Sequence, residues 1–155
     1  MTSRKEGPPR SGWARLVPEL LVQDLTASLI FWRDLLGFRA AYARPEQGFV
    51  YLEHISGAQL MLCQRSGKWE TGPLEPPFGR GVMFQIYLDG IAPVLAALEA
   101  AHWPLHTPQR DIWRRVGTVE AGQREFFVQD PDGYLIMLAE SLGERPLATP
   151  GAAVV

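Results

Sequence analysis

The sequence is poor in cysteine. Cys63 is the single one among 155 residues, so neither an internal disulfide framework nor a cysteine-rich zinc site can form. It sits in an apolar, strand-like run and reads as a buried, inert thiol. Charge of one sign is not in excess. Fifteen Lys and Arg face 17 Asp and Glu, giving a formal −2 and no basic footprint for nucleic acid. No apolar run approaches the roughly 20 residues that span a bilayer. The stretch Met1–Arg10 lacks the apolar core of a secretory signal. Walker loops, dinucleotide fingerprints and serine nucleophile elbows are absent too. Ser28 and Ser56 have no base or orienter beside them in sequence. The expectation is a soluble, cytoplasmic protein whose partners include neither nucleic acid nor membrane.

What is present is a pattern that occurs twice. Residues 1–12 are polar and aperiodic and read as a flexible tail. A strand follows over Leu16–Val22, with Pro18 favouring its start or an edge. Asp24 then opens a helix whose apolar residues Leu25, Leu29, Phe31, Trp32, Leu35 and Leu36 recur at helical spacing up to Gly37. Three strands come next, over Phe38–Arg44, Phe49–His54 and Ala58–Gln64. Residues 65–80, rich in Gly, Pro and charge, read as a linker. The order then restarts: a strand over Val82–Leu88, Asp89 as helix cap, a helix from Ile91 to about Ala101, and strands over Leu105–Trp113, Glu125–Gln129 and Tyr134–Ala139. Such an internal repeat is more specific than any single motif. It divides the chain into a first module at 13–64 and a second at 81–141, with a tail at 142–155.

The last two strands flank Asp130-Pro131-Asp132-Gly133. Pro131 presets φ and Gly133 supplies a positive φ, so the turn is tight. This strand–DPDG–strand ending, with Leu35-Leu36-Gly37-Phe38 after the first helix, resembles the vicinal oxygen chelate superfamily. That superfamily includes glyoxalase I, extradiol dioxygenases, fosfomycin-resistance enzymes and bleomycin-resistance proteins. The chain looks nearest the bleomycin-resistance branch. The resemblance implies an α+β fold: two βαβββ modules forming a curved mixed sheet of eight strands, with helices on the convex face. Its concave face would enclose the site, at or beside a homodimer interface.

The resemblance also places the metal ligands of the superfamily's enzymes. They fall here on Val17, Met83 and Met137, with a further carboxylate near Leu52 or Glu53. Valine cannot coordinate, and a thioether is a poor ligand for hard or borderline divalent ions. The expected cofactor is therefore none. Alternation along the first strand puts Val17, Glu19 and Leu21 on one face. The resemblance implies that Val17, Leu21, Met83 and Met137, together with Met61 and Phe127 if they also point inward, form an apolar lining, with Glu19, Gln85 and Tyr87 as sparse polar groups. That composition suits a small organic molecule, hydrophobic or planar, bound without covalent chemistry in an antibiotic-resistance-like role. In bleomycin-resistance proteins, tryptophans stack on the drug at positions that here carry Glu120 and Gly81. Trp113 and Trp69 are near enough in sequence to substitute. The alternative is a metal-dependent lyase or dioxygenase with a displaced ligand set, Glu19 with Glu53 or His54. Arg114-Arg115 has the charge to attract an anion but reads more simply as a solvated loop.

Overall fold

The computed structural model describes residues 6–147. Its element order is β1 (Glu19–Val22), α1 (Leu25–Leu29), β2 (Arg39–Arg44), β3 (Phe49–Glu53), β4 (Gln59–Gln64), β5 (Met83–Tyr87), α2 (Ala92–Ala100), β6 (Leu105–Val116), β7 (Val119–Gln129) and β8 (Leu135–Pro146). The first sheet runs β1-β4-β3-β2 and the second β5-β8-β7-β6. In each, the strand before the helix pairs in parallel with the last strand of its module, and the other pairs are antiparallel. The repeat in the sequence is thus a repeat in space, an α+β fold of two βαβββ modules. The strands of one chain form two four-stranded sheets and not one continuous sheet of eight. Among the described residues, β1 and β5 each remain an open edge.

The first helix starts where the sequence placed it. Asp24 has extended backbone, and its carboxylate accepts from the N–H groups of Thr26 (2.9 Å) and Ala27 (3.2 Å). After Leu29 the helix widens into a π-helical segment, Ile30–Leu35, closed by Leu36 N–H on the Phe31 carbonyl. The wider turn coincides with Phe31 and Trp32, both fully buried. At α2 the expected cap is displaced. Asp89 does not cap; Ile91 occupies that place, and its N–H goes to the Glu140 carboxylate at 2.7 Å.

One core joins the modules. Leu20, Val22, Leu52, Leu60 and Leu62 of the first sheet pack in the same cluster as Ile86, Phe126, Val128, Ile136 and Leu138 of the second, with Trp32, Leu36, Val94 and Leu98 of the helical segments. The inner faces of both sheets therefore address the helices, and the outer faces turn away from the shared core. The strands of the second sheet also outrun their apolar pattern. β6 reaches Val116, β7 starts at Val119 and β8 ends at Pro146, so residues 142–146, read as tail, belong to a strand. Polar cross-strand pairs hold this extension, among them Arg145 to Glu120 (2.7 Å) and Arg124 to Asp111 (2.8 Å). At the other end of the chain, residues 6–14 lie along the first sheet. Gly7 N–H reaches the Ala41 carbonyl, Arg10 N–H the Glu53 carboxylate and Ala14 N–H the Gln59 side chain.

The Asp130–Gly133 turn is the joint between modules. Asp132 Oδ1 accepts from the Gln23 backbone N–H and side-chain amide, both at 3.1 Å, and its Oδ2 from the Ser28 hydroxyl at 3.4 Å. Trp32 donates its indole N–H to Asp130 Oδ2 at 3.1 Å. Tyr134 donates its hydroxyl to the Leu21 carbonyl at 2.9 Å. Asp130 Oδ1 takes the N–H groups of Asp132 and Tyr134, which closes the turn. Phe78, at the end of the connector, donates its N–H to the Asp132 carbonyl at 2.7 Å. Gly133 has φ +99°, and a Cβ there would stand 2.4 Å from Pro77 Cβ.

Both aspartates are buried. Burial pushes the Asp130 carboxyl up to about 6, against the lowering effect of the Trp32 and Tyr134 donors and with the Asp132 charge adding to the rise. The folded state therefore holds a proton that the unfolded chain releases near pH ~4. Stability from this group is greatest below that pH and is lost as pH rises through about 6. Urea unfolding of the wild type and Asp130→Asn at pH 4.5 and 7.5 should show the wild type losing about 2 kcal/mol relative to the variant between the two. Parallel pH dependences would show that Asp130 does not titrate in this window. Gly133→Ala should lower stability by about 2–3 kcal/mol, from positive-φ strain and overlap with Pro77, read as a shift in the urea midpoint.

Candidate functional site

The outer face of the second sheet is set by strand register. Gln85 lies opposite Met137, and Met137 opposite Phe127. One row further, Tyr87 lies opposite Ala139, Ala139 opposite Glu125, and Glu125 opposite Arg110. Paired residues share a face, so Met83, Gln85, Tyr87, Phe127 and Met137 come together there. The intervening Phe84, Ile86, Phe126, Ile136 and Leu138 point into the core. The face is open where it meets β5: Met83 is 40% and Tyr87 50% exposed, whereas Met137 on the central strand is 6% exposed.

A charged group borders this apolar patch. Glu125 is fully buried, yet its carboxylate holds two arginines. Arg114 donates to both oxygens, at 2.8 and 2.9 Å, and Arg110 to Oε1 at 3.1 and 3.2 Å. Arg114 also donates to the Gln123 amide oxygen at 3.2 Å. The Arg114 hydrogen bonds hold the Glu125 carboxyl below the ordinary glutamate range; burial opposes this and Arg110 assists. Arg110 further lies 5.7 Å from the Phe127 ring centroid, linking the charged row to the apolar one. Sequence reading missed this group. Its signal is the alternation of Arg110, Ile112 and Arg114 on one strand, opposite Gln123 and Glu125 on the next. The expected Arg114-Arg115 loop is strand, and its two arginines part: Arg115 turns to the Gly117 carbonyl.

Trp113 does not join the face. In register with Gly122, it falls on the opposite side of β6 from Arg110 and Arg114. Gly122 is its seat, since a Cβ there would stand 2.7 Å from the indole, and Arg145 stacks over the ring at 4.1 Å. β6 continues through Trp113, and alternation carries its side chain to the face opposite Phe127.

Glu19 and Leu21 lie on the outer face of the first sheet, in rows with Met61 and Tyr51 and with Cys63 and Phe49. One chain therefore does not bring them to Met83 and Met137. Trp13 packs edge-on against Tyr51 (5.4 Å) and Tyr42 (6.1 Å) and covers part of this face. Beside it, Glu19, Arg44, Cys63, Lys68 and Trp69 border a polar cleft of about 560 Å³. Cys63 is half-buried, and burial together with the Glu19 charge pushes its thiol up.

The displaced ligand set does not assemble either. Glu53 is taken by Arg39 (2.6 Å) and by the Arg10 N–H (2.8 Å), and His54 Nδ1 is bonded to Ser56 in a turn. Among the described residues no three His, Cys, Asp or Glu side chains lie together as a metal-holding group. With Val17, Met83 and Met137 at the superfamily's ligand positions, the residues of this chain do not fit the divalent ion of its metal enzymes.

The model of the glyoxalase/bleomycin resistance protein/dioxygenase superfamily matches residues 14–138. A protein of unknown function from Agrobacterium tumefaciens strain C58 is 27% identical, with TM-score 0.59 over 84% of this chain and 96% of that one. TioX from Micromonospora sp. ML1 is 16% identical, with TM-score 0.61 over 84% and 100%. Lactoylglutathione lyase from Agrobacterium tumefaciens is 19% identical, with TM-score 0.52 over 86% and 95%. No curated protein matches the chain. The family match takes in both modules and the DPDG turn that joins them, and the chain belongs to the glyoxalase/bleomycin resistance protein/dioxygenase superfamily.

Proposed function

We propose that this protein binds a hydrophobic or planar small organic molecule without metal or covalent chemistry, as a sequestering protein in an antibiotic-resistance-like role. The observation that carries the reading is the outer face of the second sheet. Thioether, aromatic and amide side chains stand there where the superfamily's enzymes hold an ion, and Met83 and Tyr87 are exposed at its open edge. Flat aromatic and polarisable sulfur surfaces suit a planar ligand.

A homodimer belongs to the same proposal. β1 and β5 are unpaired edges, and exposed Leu16, Val82 and Met83 lie at or just before them. An edge of this kind favours pairing with another chain. A second copy at β5 would wall the open face and would bring Glu19 and Leu21 of one protomer toward Met83 and Met137 of its partner. Among the described residues no helix is long and apolar enough to cross a membrane, and the proposal places the protein in the cytoplasm.

Three measurements test this. Phenylnaphthylamine, an uncharged planar fluorophore, should bind the wild type with enhanced emission. Met137→Arg should abolish binding by placing a charge in the patch, and Tyr87→Ala should weaken it about tenfold. Undiminished binding by both folded variants would move the site elsewhere. Light scattering should give about twice the chain mass of 17.3 kDa. Elemental analysis of protein purified without chelator should find only traces of Ni, Zn, Mn or Fe; stoichiometric, tightly held metal would overturn the reading.

A further inference from the structure

We infer that the molecule bound on this face is an organic monoanion, its carboxylate or sulfonate held by Arg110 and Arg114 and its apolar body lying on Phe127, Met137 and Tyr87. The inference rests on the binding reading above and adds the ligand's charge.

The charge balance of the face is the first ground. Arg110, Arg114 and Glu125 are its charged groups on β6 and β7. β5 and β8 contribute Met83, Gln85, Tyr87, Leu135, Met137 and Ala139, all uncharged, and, at the far end of β8, Glu144, which shares the row of Ala121 and Arg114 but is exposed and bonded to neither arginine. Two guanidinium groups thus share the one carboxylate bonded to them, and among the described residues one of the two positive charges has no bonded partner of its own. Unused donors are the second ground. A guanidinium has five N–H groups. Arg110 directs two toward Glu125, and Arg114 directs three toward Glu125 and Gln123. Both arginines keep nearly half of their side-chain surface exposed while Glu125 beneath them has none. The buried carboxylate therefore fixes the two forks from below and leaves their outer edges free, which lowers the ordering cost of a second, incoming oxyanion. Charge-assisted, bidentate recognition is what guanidinium offers a carboxylate or sulfonate.

The third ground is adjacency. Arg110 already stands over the Phe127 ring, and Phe127 is the register partner of Met137. An acid group on the arginines would set an attached ring or chain along that row. A dianion would exceed the single charge left without a bonded partner and would meet Glu144 in the same row. A neutral ligand would leave the forks solvated and gain nothing from them.

The test compares two probes of nearly the same shape. Anilinonaphthalene sulfonate carries a sulfonate, and phenylnaphthylamine lacks it. The wild type should bind the sulfonate at least about tenfold more tightly. Arg110→Gln should bring the affinities of the two probes together, read as their ratio; Arg114 still satisfies both oxygens of Glu125, so the buried carboxylate is not orphaned. Phe127→Ala should weaken both probes and locate them on this face. Equal wild-type affinities, or a preference that survives Arg110→Gln, would overturn the assignment of charge and leave the binding reading standing. Failure of both probes to bind would overturn both readings.

Discussion

Two carboxylates buried in a four-residue turn hold this molecule together. Asp130 and Asp132 sit where water does not reach, and each is supplied with donors from the other module: Trp32 for one, Gln23 and Ser28 for the other. Burying a carboxylate is unfavourable unless its lone pairs are met. The second module therefore cannot seat its turn anywhere except at the β1–α1 junction. Tyr134 reinforces the seat from the same strand end, and Gly133 lets the connector press against the back of the turn. The orientation of the two sheets follows from that docking.

With the inner faces committed to one core, what remains for chemistry is outside. Each sheet presents a face of its own, and the two differ in kind. The first is capped by its own N-terminal stretch through Trp13 and offers a polar cleft. The second is bare along β5 and combines a methionine–aromatic patch with an arginine pair anchored from beneath. Superfamily membership supplies the scaffold for a site of this type, and the side chains supply its character. Soft and aromatic groups stand where the resemblance places hard donors, so under the proposed function recognition would rest on shape, dispersion and the arginine pair.

Much of this was legible from the residues. The doubled pattern of strands around a helix, the Asp24 cap and the DPDG turn with its positive-φ glycine all follow from local rules that the structure obeys. Other features were hidden because they depend on pairing partners. The outer halves of β6, β7 and β8 are held by charged cross-strand contacts, and apolar alternation carries no trace of these. Once β6 is known to run on, Trp113 must change sides and Arg114 must meet Glu125. The cap of α2 comes from Glu140, 49 positions beyond Ile91, a distance no local signal spans. Whether the sheets join edge to edge or share a core back to back is likewise decided by the buried turn and not by the strand pattern.

The connector deserves to be seen in this light. Its middle, from Ser66 to Gly72, is mostly exposed, while its last residues are fastened by Phe78 to the Asp132 carbonyl and by Pro77 to Gly133. The peptide chain between the modules is thus a redundant tether. A protease nick in the exposed part would leave two fragments still gripping each other through the turn and the common core. The same independence suits an architecture made of two copies of one unit, in which recognition between halves resides in a docking surface and the covalent bond is incidental to it.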